Sequence, residues 1–215
     1  MADELLILSI TSLSLGFIHT LFGPDHYIPF IVMSKARKWG LSKTMIITFL
    51  CGVGHILSSV ILGLIGIALG IAVTKLTAIE SFRGNLASWF LLVFGFLYFL
   101  WGLYIAVKKK PHEHFKFNNG NINLTPWILF TIFVFGPCEP LIPLVMYPAA
   151  KGSLIGLLLV TGIFGVSTIS TMLAIVMISY YGINLMPMER LERYMHALAG
   201  AAIFLCGIVI SLFGL

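Results

Sequence analysis

Charge is what this sequence has least of. Asp, Glu, Lys and Arg make up 10% of its 215 residues, where a soluble domain averages about 25%. With 59% of the chain hydrophobic, most of its surface cannot face water. Cysteine is scarce as well: Cys51, Cys138 and Cys206 make no disulfide framework and no CxxC motif. No GxxxxGK[ST] loop is present, so the chain has no ATP-binding phosphate loop of that kind. The opening residues carry Asp3 and Glu4 where a secretory leader has positive charge, and no cleaved leader is expected. The alternation of a membrane β-barrel is missing too.

Long apolar runs fill the space left by those absences. They cover Leu5 to Met33, Thr44 to Val73, Ala87 to Val107, Leu124 to Ala150, Ser153 to Tyr180 and Tyr194 to Leu215. A helical span needs roughly 20 apolar residues to cross about 30 Å of hydrocarbon. Backbone groups in lipid must find their partners within the segment, so each run is expected to be a helix. The fold class expected is an all-α integral membrane protein. It forms a single domain over 1–215, with six transmembrane helices.

Lys and Arg are unevenly shared among the connections. Lys35, Arg37, Lys38 and Lys43 follow the first run, Lys108, Lys109, Lys110 and Lys116 the third, and Arg190 and Arg193 the fifth. The other connections hold Lys75, Arg83 and Lys151. By the positive-inside rule the richer side is cytoplasmic, with both termini outside, in a cell membrane. The net charge of +5 is thus a topology signal, and no nucleic-acid partner is expected. The short tract His112-Glu113-His114 lies beside three lysines and is read as a solvated loop.

Two motifs recur at one spacing. Phe22-Gly23-Pro24-Asp25-His26 matches Phe135-Gly136-Pro137-Cys138-Glu139, and Gly52-Val53-Gly54-His55 matches Gly165-Val166-Ser167-Thr168, both at an offset of 113. Three runs per unit is an odd number, so the second unit enters from the opposite side. That is a 3+3 inverted repeat, with repeat 1 at about 1–107, a cytoplasmic loop at about 108–123 and repeat 2 at about 124–215. Gly-Pro pairs at matching points predict that helices 1 and 4 are broken, because proline removes a backbone donor and clashes with the preceding turn. Paired breaks in the two halves are a pointer to a transport site at the repeat interface.

The residues around the breaks carry the chemistry. His19, Asp25 and His26 lie at the first, Cys138 and Glu139 at the second, and His55 in the next run, with Cys51, Ser167 and Thr168 as secondary candidates. Ionisable groups inside a membrane cost a few kcal/mol each and mark function by default. Imidazole, carboxylate and thiolate together suit a divalent transition metal. The alternative is a buried hydrogen-bonded network, for instance Asp25 with His55, that fixes helix register.

His19 followed by Asp25-His26 resembles the His-x4-Asp-His motif of nickel/cobalt permeases, with one extra residue between. The paired Gly-Pro breaks and the FGPCEPLIP segment resemble a broader group. It includes the UreH-like and sulfite-exporter-like membrane proteins and the thiol-transfer proteins of cytochrome c biogenesis. The chain looks like a UreH-like member. That resemblance implies that His19, Asp25 and His26 bind and select the metal, with His55 contributing. It also implies a thiol relay as the second reading, although Asp25 stands where the first of its two cysteines belongs. A sulfite-like anion exporter is third, and two site carboxylates oppose it.

The expectation is therefore a transporter rather than an enzyme, moving a nickel- or cobalt-like cation. Asp25 and Glu139 would offset its charge, while His19, His26, His55 and Cys138 act as ligands. The metal is substrate and not a tightly bound cofactor. Proton coupling is expected, since these ligands shed protons to bind metal. A homo-oligomer or an accessory protein is left open.

Overall fold

The computed structural model describes residues 2–108, 124–185 and 191–213, and every regular element among them is helical. The helices are α1 (Ala2–Phe22), α2 (Ile28–Ala36), α3 (Leu41–Ala68), α4 (Val73–Lys108), α5 (Leu124–Phe135), α6 (Leu141–Ala150), α7 (Leu154–Leu185) and α8 (Met195–Phe213). Short 3-10 turns stand at Pro24–His26 and Glu192–Tyr194. The tract at His112–His114, the lysines at 109, 110 and 116, and Arg190 lie outside the described residues.

Five segments are long and apolar enough to cross a bilayer: Asp3–Phe22, Leu41–Ala68, Val73–Lys108, Leu154–Ile183 and Glu192–Leu212. At 1.5 Å per residue the 21 residues of α1 reach about 31 Å. The 12 residues of α5 and the 10 of α6 reach only about 18 Å and 15 Å and cannot cross singly. The arrangement of polarity agrees with a lipid solvent. Leu6, Phe17, Phe49, Phe82, Trp89, Leu158 and Ile178 are exposed, whereas Ser12, Thr20, Thr48, Ser88 and Thr168 are buried. Buried hydroxyls turn back onto their own helix, Ser12 Oγ to the Leu8 carbonyl and Thr20 Oγ1 to that of Gly16, both at 2.7 Å. The chain is a multi-pass membrane protein.

Both Gly-Pro sequences interrupt a helix where expected. α1 stops at Phe22, the chain passes through Gly23 and the 3-10 turn, and α2 resumes at Ile28. α5 stops at Phe135 and α6 begins at Leu141. Elsewhere the boundaries differ from the sequence reading. α3 ends at Ala68 and α4 starts at Val73, so the third run is a 36-residue helix that takes in Lys75, Glu80 and Arg83. The sequence reading placed Arg83 in a connection because charge is costly in lipid. Glu80 and Arg83 offset that cost by pairing one helical turn apart, Oε1 to Nη1 at 2.5 Å.

Packing follows a consistent pattern. α4 lies along α8 in the most extensive pairing, and α1 along α7 in the next. Four glycines close the antiparallel α4–α8 seam: a Cβ on Gly95, Gly102, Gly200 or Gly207 would stand 2.4, 2.3, 2.3 or 3.0 Å from an atom of the facing helix. α1 and α7 run in the same direction. Glu4 meets Lys151, just before α7, at 2.6 Å, and the Ser167 hydroxyl donates to the Leu13 carbonyl at 2.8 Å. At the far end Lys38 pairs with Glu192 at 2.5 Å, and the Tyr180 hydroxyl donates to the Trp39 carbonyl at 3.3 Å. Two core clusters result. One is built around Phe30, Met33, Leu129, Met172 and Ile203, and the other around Cys138, Leu141, Val145, Val160 and Phe164.

Candidate metal centre

Three histidines from two parts of the fold converge. His19 belongs to the last turn of α1, His26 closes the 3-10 turn, and His55 stands midway along α3. His26 and His55 are each 2% exposed. One ligand atom from each of the three lies within 4.8 Å of the others. The break is what makes this possible. By ending α1 at Phe22 and turning within three residues, the chain sets the His26 ring edge-on to that of His19, with centroids 4.8 Å apart. Gly23 is required there, since a Cβ would stand 2.5 Å from His26 Nδ1.

The outer nitrogens of two of these rings are tied to acceptors. His26 Nδ1 lies 3.0 Å from Asp25 Oδ1 and 3.2 Å from the Gly23 carbonyl. His55 Nδ1 lies 3.4 Å from the carbonyl of Phe133, in the last turn of α5. Neither a carboxylate nor a carbonyl donates, so each Nδ1 carries the hydrogen and each Nε2 of a neutral ring presents a lone pair. The two Nε2 atoms nevertheless face each other at 3.4 Å. His19 Nε2 is buried with no hydrogen-bond partner. Two Nε2 lone pairs that face each other with no donor between them call for a cation, or for a proton shared by the pair.

The spacing of His26 and His55 fits a metal ion. Two nitrogens about 2.1 Å from one tetrahedral centre stand about 3.4 Å apart, the separation found between His26 and His55. No two ligands at that bond length can be more than about 4.2 Å apart, so full three-nitrogen ligation draws the cluster inward from its present 4.8 Å limit. Asp25 and the Phe133 carbonyl occupy the outer positions that usually orient metal-binding imidazoles. A small cavity beside the cluster is lined by His19, Asp25, His26, Ser88 and Pro137, among others.

The other sequence candidates lie differently. Asp25 is at the site through its bond to His26 rather than to His55. Cys138 is buried at the second break, and its backbone N–H donates to Glu80 Oε2 at 3.2 Å. Glu139 is exposed, and neither it nor Cys138 is in the histidine cluster. Cys51 packs in the first core cluster and Cys138 in the second. Ser167 bonds the α1 backbone, and Thr168 Oγ1 is buried without a partner. His196 bonds the Tyr98 hydroxyl at 2.8 Å.

Two residues at the second break escaped the sequence reading. Glu80 is fully buried, and Arg83 reaches from it to the Val134 carbonyl and the Ser58 hydroxyl, both at 2.8 Å, and to the Gly136 carbonyl at 3.4 Å. The available signal was an acid and a base three apart in an apolar stretch, a spacing that favours pairing on a helix.

No family model matches the chain, and neither a curated protein nor a solved structure is similar to it.

Proposed function

We propose that the protein carries a divalent transition-metal cation across the membrane, binding it as substrate between His19, His26 and His55. The observation behind this reading is the convergence of three imidazoles, with Asp25 and the Phe133 carbonyl holding the outer edges of two rings and their Nε2 atoms facing each other. Imidazole suits nickel, cobalt, copper and zinc alike. Nickel or cobalt comes first only through the resemblance of His19 and Asp25-His26 to the nickel/cobalt permeases. Asp25 offsets part of the ion's charge through His26.

The architecture that fits this function is six crossings as a 3+3 inverted repeat, with α1–α2 as the first and α5–α6 as the fourth. Several pairings support it. Exchange of the halves maps α1 against α7 onto α5 against α3, and α2 against α8 onto α6 against α4, and all four pairs are in contact. The ends marked by Lys38–Glu192 and by Glu4–Lys151 are then the cytoplasmic and outer faces. Metal would replace the proton that the facing Nε2 atoms of His26 and His55 can share, and proton counter-movement is part of the proposal.

The test is titration of purified, detergent-solubilised protein with nickel, cobalt and zinc, followed by flux into proteoliposomes holding a metal-sensing dye. Stoichiometric binding and flux are expected in the wild type, both abolished by His26→Ala/His55→Ala. Absence of binding to well-folded wild type overturns the metal reading. Binding without flux overturns transport alone.

A further inference from the structure

We infer that Arg83, held by Glu80, is a positioning residue for His55 and fixes the imidazole form that the metal centre needs; this rests on the reading above. His55 is oriented by two things, the turn of α3 that bears it and the α5 carbonyl that faces its Nδ1. Arg83 grips both. Toward α3, its Nη2 donates to Ser58 Oγ at 2.8 Å, and that hydroxyl donates to the backbone carbonyl of His55 itself at 2.8 Å. Toward α5, the same nitrogen donates to the Val134 carbonyl at 2.8 Å and the Gly136 carbonyl at 3.4 Å. Both follow closely on Phe133, whose carbonyl accepts from His55 Nδ1. Gly136 presses against the ring, since a Cβ there would stand 3.2 Å from His55 Nδ1.

The clamp exists because a broken helix leaves carbonyls without partners. Val134 and Gly136 lie where α5 ends at a proline, and a planar guanidinium with several donors can serve both and a hydroxyl together. Glu80 completes the arrangement from the other side of the break. One oxygen holds Arg83, and the other accepts the Cys138 N–H that Gly136-Pro137 leaves free. All these groups belong to α3, α4 and the α5–α6 break. Neither Glu80 nor Arg83 touches the three nitrogens, so both act through His55.

The measurement is the nitrogen-15 spectrum of histidine-labelled protein in detergent without metal, with the His55 signals assigned by His55→Gln. Wild type is expected to show His55 in a single Nδ1–H form. Arg83→Gln should turn that into a mixture of the two ring forms, and Arg83→Lys should restore it only in part, because an ammonium has no second nitrogen to hold Glu80 while the first bonds Ser58 and the α5 carbonyls. Cobalt titration of the same samples should show a loss of about 10–100-fold in affinity for Arg83→Gln, the usual cost of an outer partner. A folded Arg83→Gln protein with an unchanged His55 form overturns the inference, whatever its affinity for metal. A changed form in a protein whose wild type binds no cobalt sustains the positioning role and removes the metal reading instead.

Discussion

The interruption at Gly23–Tyr27 keeps its bonds local, whereas the one at Gly136–Pro140 draws on a distant helix. At the first, Gly23 N–H returns to the His19 carbonyl at 2.9 Å, His26 N–H to that of Gly23 at 3.1 Å, and the His26 ring to Asp25 and Gly23. At the second, the freed carbonyls and one freed N–H go to Arg83 and Glu80 on α4. A break furnished from within its own sequence can present ionisable side chains to a substrate. A break held from outside is occupied with its support and contributes backbone. The same Gly-Pro signal thus gives a chemical face in one half of the chain and a structural one in the other.

That contrast is sharpest in metal affinity. Removing a first-half imidazole, as in His26→Ala, should weaken cobalt binding by more than the 10–100-fold cost of an outer partner, whereas Cys138→Ser at the second break should leave it within about twofold. Equal losses in equilibrium dialysis of the two variants would erase the distinction. Stability should sort them the other way. Glu80→Ala leaves the mostly buried Arg83 unpaired, and breaking such a pair costs about 3–5 kcal/mol, to be read from denaturant unfolding in detergent. Asp25→Asn, at the first break, should shift the same unfolding curve far less and lower cobalt affinity about 10–100-fold.

The smallest effect separates the glycines. Gly23→Ala drives a methyl to 2.5 Å from His26 Nδ1, and Gly136→Ala to only 3.2 Å from His55 Nδ1. The first should cost more affinity than the second in parallel titrations, since a shift of a few tenths of an ångström relieves only the second.

Lowering the pH sharpens the comparison as well. Protons compete with metal for imidazole nitrogen, so affinity should fall with pH in wild type and in Cys138→Ser alike. A fall confined to wild type would give the thiol a ligand's role.

The breaks and the first-half site residues were legible because proline and ionisable side chains stand out in an apolar sequence. His19, Asp25 and His26 could be named from their flanking Gly-Pro alone. The partner of His55 could not be, since it is a backbone carbonyl, and every residue has one. Glu139 matched His26 by repeat position yet is exposed, because repeat spacing sets the height of a residue along the fold and not the direction of its side chain. Glu80 and Arg83 were hidden by the rule that charge ends a span. That rule fails where two opposite charges neutralise each other on one face of a helix.

The glycine seam between α4 and α8 bears on movement. Backbones that approach this closely at Gly95, Gly102, Gly200 and Gly207 have no side chains there to swing aside or refill a gap. Prising them apart would open a void along α8 from Ala197 to Gly207. A carrier cycle built on this fold must therefore treat the seam as an axle: the halves can turn about it, while the displacement that exposes the histidines first to one side and then to the other has to come from elements farther out, among them α1–α2 and α5–α6.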